Sequence, residues 1–161
     1  MTGNTHRIIA LRAMESFCLK HKQIGDFVKG NVMADYIPYY KYKQHYPKQS
    51  MEYVLDNNKT VDNLFELGIL SHFVSDFLCT PHFNNWRLYS SKAIKHIKFE
   101  KKLEKVALGF NFGSVDVKRI KRECINDKVL KLYNSAGESY EDNMKAAYSA
   151  VVLMLDNFVK V

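Results

Sequence analysis

Apolar residues recur at helical spacing along most of the chain, and no run alternates in the manner of a strand. Over residues 5–20, Ile8, Ile9, Leu11, Met14, Phe17 and Cys18 form an inward stripe, with Thr5 as N-cap and His6 in the first turn. The pattern breaks over residues 25–47, where Gly25, Gly30, Pro38 and Pro47 punctuate a segment rich in tyrosine. A short helix is predicted over 49–56, and Asn57-Asn58-Lys59 makes the next turn. Thr60 then caps a helix that runs to Leu78. Leu64, Phe65, Leu67, Gly68, Ile69 and Leu70 make it apolar around much of its circumference, which marks it as the central, buried helix. Residues 91–107 predict a basic helix with Lys92, Lys95, Lys98, Lys101, Lys102 and Lys105 outward and Ile94, His96, Ile97, Leu103 and Val106 inward. After a loop at 109–114, helices over 115–133 and 138–159 pair Ile120, Ile125, Val129, Leu130 and Leu132 with Tyr148, Val151, Val152, Leu155 and Phe158. With no internal repeat or low-complexity tract, the pattern predicts one all-α domain over residues 1–161, of about six to seven helices.

Polar residues interrupt this pattern most sharply at 71–100. His72 and Asp76 lie four apart, as do His96 and Glu100, so each pair shares one helix face and can close on one ion. Pro81 is expected to stop the first of these helices, leaving His82 on irregular backbone between the pairs. Imidazole and carboxylate are the donors that borderline metals such as zinc take. A lone His-x-x-x-Asp on a helix is usually an ordinary polar pair. Here Phe73, Val74, Phe77 and Leu78 on one side and Ile94, Ile97 and Phe99 on the other would bury the groups, and buried imidazole and carboxylate need partners. A metal supplies them.

Composition narrows the picture further. With 161 residues and 47% hydrophobic content the chain can bury a core, and no second domain fits comfortably. The 24 Lys+Arg against 17 Asp+Glu leave a net charge of +7, which suits phosphate-bearing partners such as anionic membranes, phospholipids or nucleic acid, or else a solvated basic surface. Cys18, Cys79 and Cys124 are odd in number and fall in helical segments, so they are read as reduced core residues. The start is polar and the apolar run at 8–11 is short, which points to a cytoplasmic protein, or a secreted one if a leader has been removed. No stretch approaches transmembrane length. The expected oligomeric state is a monomer.

The run His72-x3-Asp76-x5-His82-x13-His96-x3-Glu100 resembles the metal core of the zinc-dependent phospholipase C family, best known from secreted bacterial phosphatidylcholine-cleaving enzymes. Ala34-Asp35-Tyr36 is similar to the family's Ala-Asp-Tyr segment, with His45 following as its next ligand, and Thr5-His6 matches the family's early histidine. The resemblance covers roughly the first hundred residues and implies up to three zinc ions. One would be held by Asp35, His45, His72 and Asp76, a second by His82, His96 and Glu100. The third would take His6, a bridging Asp76, and the amino nitrogen and carbonyl of Met1. The implied reaction is hydrolysis of a phosphodiester, in a phospholipid such as phosphatidylcholine, by metal-activated water. Asp35 is the implied general base, and Tyr36 and Tyr42 stand where relatives place aromatics against a quaternary ammonium headgroup.

Three departures accompany the match. Met1 stands where the family's mature chains carry tryptophan, the acidic residue that faces choline has no counterpart in MTGNT, and the link from His45 to the long helix is trimmed. Two alternatives stay open. S1/P1-type nucleases share the trinuclear core, the all-α fold and the spacing of the early histidine, and a charge of +7 suits nucleic acid. Glu100, where that group ends in Asp, and the Ala34-Asp35-Tyr36 loop make nucleic acid the lesser candidate. The other alternative is a catalytically silent protein that keeps zinc for folding.

Overall fold

The computed structural model describes residues 1–17, 19–37, 47–57, 61–84, 86, 91–114, 125–135 and 137–159, and every regular element among them is helical. These elements are α1 (Gly3–Met14), α2 (His21–Met33), α3 (Pro47–Asn57), α4 (Leu64–Phe77), α5 (Thr80–Phe83), α6 (Ala93–Gly109), α7 (Ile125–Asn134) and α8 (Tyr140–Phe158), with a 3-10 turn at Phe112–Ser114 between α6 and α7. The all-α class is as predicted, with more helices than expected.

The central helix is α4. From Leu67 to Phe77 each of its residues is buried, and α1, α2, α3, α5 and α8 pack against it. Its cap is Asn63, whose Oδ1 accepts from Glu66 N at 2.9 Å, while Glu66 places negative charge in the first turn. Thr60, the cap suggested by the sequence, lies outside the described residues.

The pattern misleads most at α2. Gly25 and Gly30 do not break the chain there; they lie inside a helix. A Cβ at position 30 would come 1.9 Å from the Phe65 carbonyl oxygen, and one at position 68 would come 2.2 Å from that of Phe27. Gly30 and Gly68 are thus the contact at which α2 and α4 cross backbone to backbone, a requirement that outweighs glycine's low helix propensity.

Smaller departures have local causes. Thr2, not Thr5, caps α1, its Oγ1 accepting from Thr5 N at 3.2 Å, and the helix ends at Met14 well before residue 20. Leu11 turns outward, because Ile9, Ala10, Ala13 and Met14 make the buried stripe. Pro47 opens α3, where its missing N–H costs nothing. Pro81 is the second residue of α5, within the first turn where a missing N–H is tolerated, so His82 rides on a single helical turn, not on irregular backbone. In α6 the core-facing line is His96, Phe99, Leu103 and Ala107. Ile94 falls on the opposite side and Ile97 on the flank, so both are exposed and neither covers the polar pairs. Within the loop at 109–114, Phe112 is buried and meets the Tyr148 ring edge-on at 4.9 Å. Of the helix expected over 115–133, residues 115–124 lie outside the described residues. Cys79 is a buried thiol whose pKa burial raises, whereas Cys18 and Cys124 fall outside.

Gly30→Ala is expected to cost roughly 3 kcal/mol and to lower Tm by about 6–12 °C. Gly25, inside the same helix with nothing within 4 Å of a Cβ, should instead gain about 0.5–1 kcal/mol on change to Ala. Thermal unfolding of the two variants beside the parent checks this, and a Gly30→Ala protein as stable as the parent would refute the close crossing.

Candidate metal centre

Four helices and the turn after α2 bring their polar residues to one place. The C-terminal half of α4 gives His72 and Asp76, α1 gives His6, α5 gives His82, α6 gives His96 and Glu100, and the turn gives Asp35. Asp76 lies at the junction. Its Oδ1 is 2.6 Å from the Met1 amino nitrogen, 3.1 Å from His6 Nε2 and 3.6 Å from His82 Nε2, while Oδ2 is 3.4 Å from His72 Nε2. Glu100 Oε1 closes the other end, 2.8 Å from His96 Nε2, 3.5 Å from His82 Nε2 and 3.0 Å from the Met1 nitrogen. The rings of His6 and His72 stack at 3.9 Å. Asp35 Oδ1 is 3.5 Å from His72 Nε2, and its side chain, 32% exposed, is the most open of the three acids.

The supporting residues are as telling. His72 Nδ1 donates to the Asn31 carbonyl at 2.8 Å, and His96 Nδ1 donates to the Trp86 carbonyl. A carbonyl only accepts, so each ring carries its proton on Nδ1 and turns Nε2 toward the carboxylates. A metal-ligating histidine is held in this way. An Nε2 lone pair facing carboxylate oxygen is repulsive unless a proton or a cation lies with it, so the donor set suits a metal. Two groups have ligand atoms close enough to share an ion: His6, His72 and Asp76, and His82, His96 and Glu100.

Two further anchors set the frame. Glu104, one turn beyond Glu100, accepts from Thr2 Oγ1 at 2.7 Å and Asn4 Nδ2 at 2.8 Å, which ties the start of α1 to α6 beside Met1. Asn143 of α8 accepts from Thr80 N at 2.6 Å and donates to Thr80 Oγ1 at 2.9 Å, fixing the turn that carries His82.

A family model described as zinc dependent phospholipase C matches residues 5–152. The chain belongs to the zinc-dependent phospholipase C family. No curated protein and no solved structure matches it. Membership makes it a phospholipase C-like zinc hydrolase domain, and nearly all of the described chain lies within the match.

Of the residues singled out in the sequence of this family member, Met1, His6, Asp35, His72, Asp76, His82, His96 and Glu100 come together. Tyr36, 66% exposed, follows Asp35 with its hydroxyl 4.0 Å from a Cβ built on Gly3. His45 and Tyr42 lie outside the described residues. Sequence reasoning missed Asn31, Trp86, Glu104 and Asn143. Asn31 and Trp86 act through backbone carbonyls, which leave no side-chain signal, and Glu104 and Asn143 have partners about 60 to 100 residues away.

The electrostatics follow from burial and proximity. Burial disfavours the Met1 ammonium, but Asp76 and Glu100 hold its pKa well above the ordinary α-amine value. Burial, aided by the His72 charge, drives His6 down to about 4. For His72 burial is outweighed by Asp76 and Asp35, which lift it to about 9. Burial raises Asp35, yet its hydrogen bond with His72 wins and holds it at about 2. Against burial, His82 and the Met1 amine hold Asp76 well below the usual carboxylate range, and the Met1 amine and His82 do the same for Glu100.

Stability of the chelator-treated protein should therefore peak near neutrality. His72 keeps its proton to about 9 when folded and to roughly 6.5 when unfolded. Its contribution is complete below about pH 6.5 and is lost as pH rises through 9. His6 behaves in the opposite sense: folded at about 4, it lets the unfolded chain take the proton first, so stability is lost as pH falls from about 6.5 toward 4. Asp35, at about 2 when folded, contributes fully above its unfolded value of roughly 3.9 and does not alter this window. The expected Tm profile has its maximum near pH 6.5, and a level Tm from there to pH 9 would count against a proton on His72.

Proposed function

We propose that the chain is a zinc-dependent phosphodiesterase that hydrolyses the headgroup phosphodiester of a phospholipid such as phosphatidylcholine. The observation that supports this most is the position of the Asp76 carboxylate, whose two oxygens face His72 on one side and His6, His82 and the Met1 amine on the other. A carboxylate so placed suits adjacent ions that share a ligand.

The residues present fit zinc. Asp35, His45, His72 and Asp76 would hold one ion, His82, His96 and Glu100 a second, and His6, Asp76 and Met1 a third. Bound zinc supplies Lewis acidity, which acidifies water and neutralises phosphoryl oxygens. Asp35 acts as general base, accepting a proton on a carboxylate oxygen as water attacks phosphorus. Its 32% exposed side chain is open to both water and substrate. Attack breaks the phosphorus–oxygen bond to the glycerol. The leaving oxygen takes up a proton, and diacylglycerol and the phosphorylated headgroup result. Tyr36, exposed beside Asp35, offers its ring face to a quaternary ammonium, with Tyr42 as its partner. Asn31 and Trp86 keep His72 and His96 oriented throughout.

Elemental analysis should give about three zinc ions per chain, and Asp76→Asn should remove more zinc than any other single change. Equal losses from His45→Ala and Asp76→Asn would argue against a shared carboxylate. Asp35→Asn should slow release of phosphocholine from phosphatidylcholine by about 10² to 10⁴-fold. Release from single-stranded nucleic acid and not from phosphatidylcholine would replace this reading with a nuclease. Full zinc with neither activity would leave a silent zinc protein.

A further inference from the structure

The two faces of α6 differ in character. The inner face gives His96 and Glu100 to the centre and Phe99, Leu103 and Ala107 to the core. On the outer face Ile94 is 68% exposed, Ile97 44% and Leu108 70%. Among the described residues these are three of the six large apolar side chains left exposed, so the exposed apolar surface is concentrated on one helix.

Their spacing is i, i+3 and i+14, which on an α-helix is a single line. Lys101 lies on the same line, and Lys98, Lys102 and Lys105 run beside it, all exposed. Of the two acids of this helix, Glu104 lies seven positions after Ile97 and borders the line. Glu100 faces the centre, and Glu104 is engaged by Thr2 and Asn4 of α1. With Glu104 so held, the outer face is aliphatic and predominantly cationic. Beside it a groove of about 480 Å³ is walled by Trp86, Phe99 and Tyr140 and reached by Lys95, Lys98 and Lys102.

Aliphatic side chains gain nothing from a nucleic-acid backbone, and α6 exposes no aromatic ring on which bases could stack. A lipid surface rewards both features. Isoleucine and leucine leave water at the boundary of headgroups and acyl chains, and lysine stems lie along that boundary while their ammonium groups reach phosphate.

We infer that the outer face of α6 docks the protein on an anionic lipid surface, Ile94, Ile97 and Leu108 entering the headgroup boundary and Lys98, Lys101, Lys102 and Lys105 meeting lipid phosphates. The inference takes its purpose from the phospholipid reading of the centre, while docking itself is measured without turnover. Because Ile97 precedes Glu100 by less than one turn, docking brings the centre up to the surface from which substrate comes.

Sedimentation of the full, zinc-loaded chain with vesicles tests this. The vesicles are phosphatidylcholine alone or phosphatidylcholine with about one third phosphatidylglycerol. The parent should bind the anionic vesicles at least tenfold more tightly. Ile94→Asn with Leu108→Asn should weaken that binding at least tenfold, and Lys98→Glu with Lys102→Glu and Lys105→Glu should abolish it. Both variants should keep parental helicity and parental hydrolysis of a monomeric short-chain phosphatidylcholine. Unchanged vesicle binding by either variant would overturn the inference. So would a loss confined to the lysine variant and matched by its loss of single-stranded DNA binding, which would assign the face to nucleic acid. Intact docking without short-chain hydrolysis by the parent would count against the activity proposed for the centre and would still support the docking face.

Discussion

A carboxylate buried in the last turn of the most buried helix has to be surrounded by donors, and Asp76 imposes that condition on two other segments. Ionised in a medium that disfavours charge, it can persist only where positive charge or hydrogen-bond donors meet both oxygens. His72 comes from its own helix, the Met1 amine and His6 from the chain start and the α1 that follows it, and His82 from α5. Packing that looks structural has the same end: Asn143 holds the turn under His82, and Glu104 holds the first residues of α1. A zinc-dependent family fits such a centre, since cations suit a concentration of acid and imidazole that apolar packing alone would not tolerate.

The centre is built in two layers. Side chains make the inner one, and the outer one is largely backbone. The carbonyls of Asn31 and Trp86 decide which nitrogen of His72 and His96 turns inward, and each stands at a fixed distance because a helix or an anchored turn carries it. Ring orientation is therefore set by fold geometry more than by neighbouring side-chain chemistry.

This division explains what could be read from the sequence. The pairs at 72/76 and 96/100 were legible because helical period four is local, and the all-α class because apolar residues repeat at that period. Thr2, Asn143 and the two carbonyls were not, since nothing near them in sequence marks partners many residues distant. The glycines of α2 were misleading for a definite reason. Glycine marks both breaks and close crossings, and only the presence of α4 across the contact separates the two. Ile94 and Ile97 misled because their inward placement assumed that apolar residues seek the core, whereas the line from His96 to Ala107 already fills it. His45 and Tyr42 lie beyond what the structure describes, so that part of the reading still rests on the resemblance.

The glycine crossing reaches further than packing. Asn31 follows Gly30, so the same approach that sets the α2 and α4 backbones against each other also carries the Asn31 carbonyl to His72. The spacing of two helices thereby selects an imidazole tautomer. Any change that widens the crossing releases the ring to present either nitrogen, and a lineage that lost the glycine contact would have to find His72 a new acceptor to keep the same basic nitrogen in place.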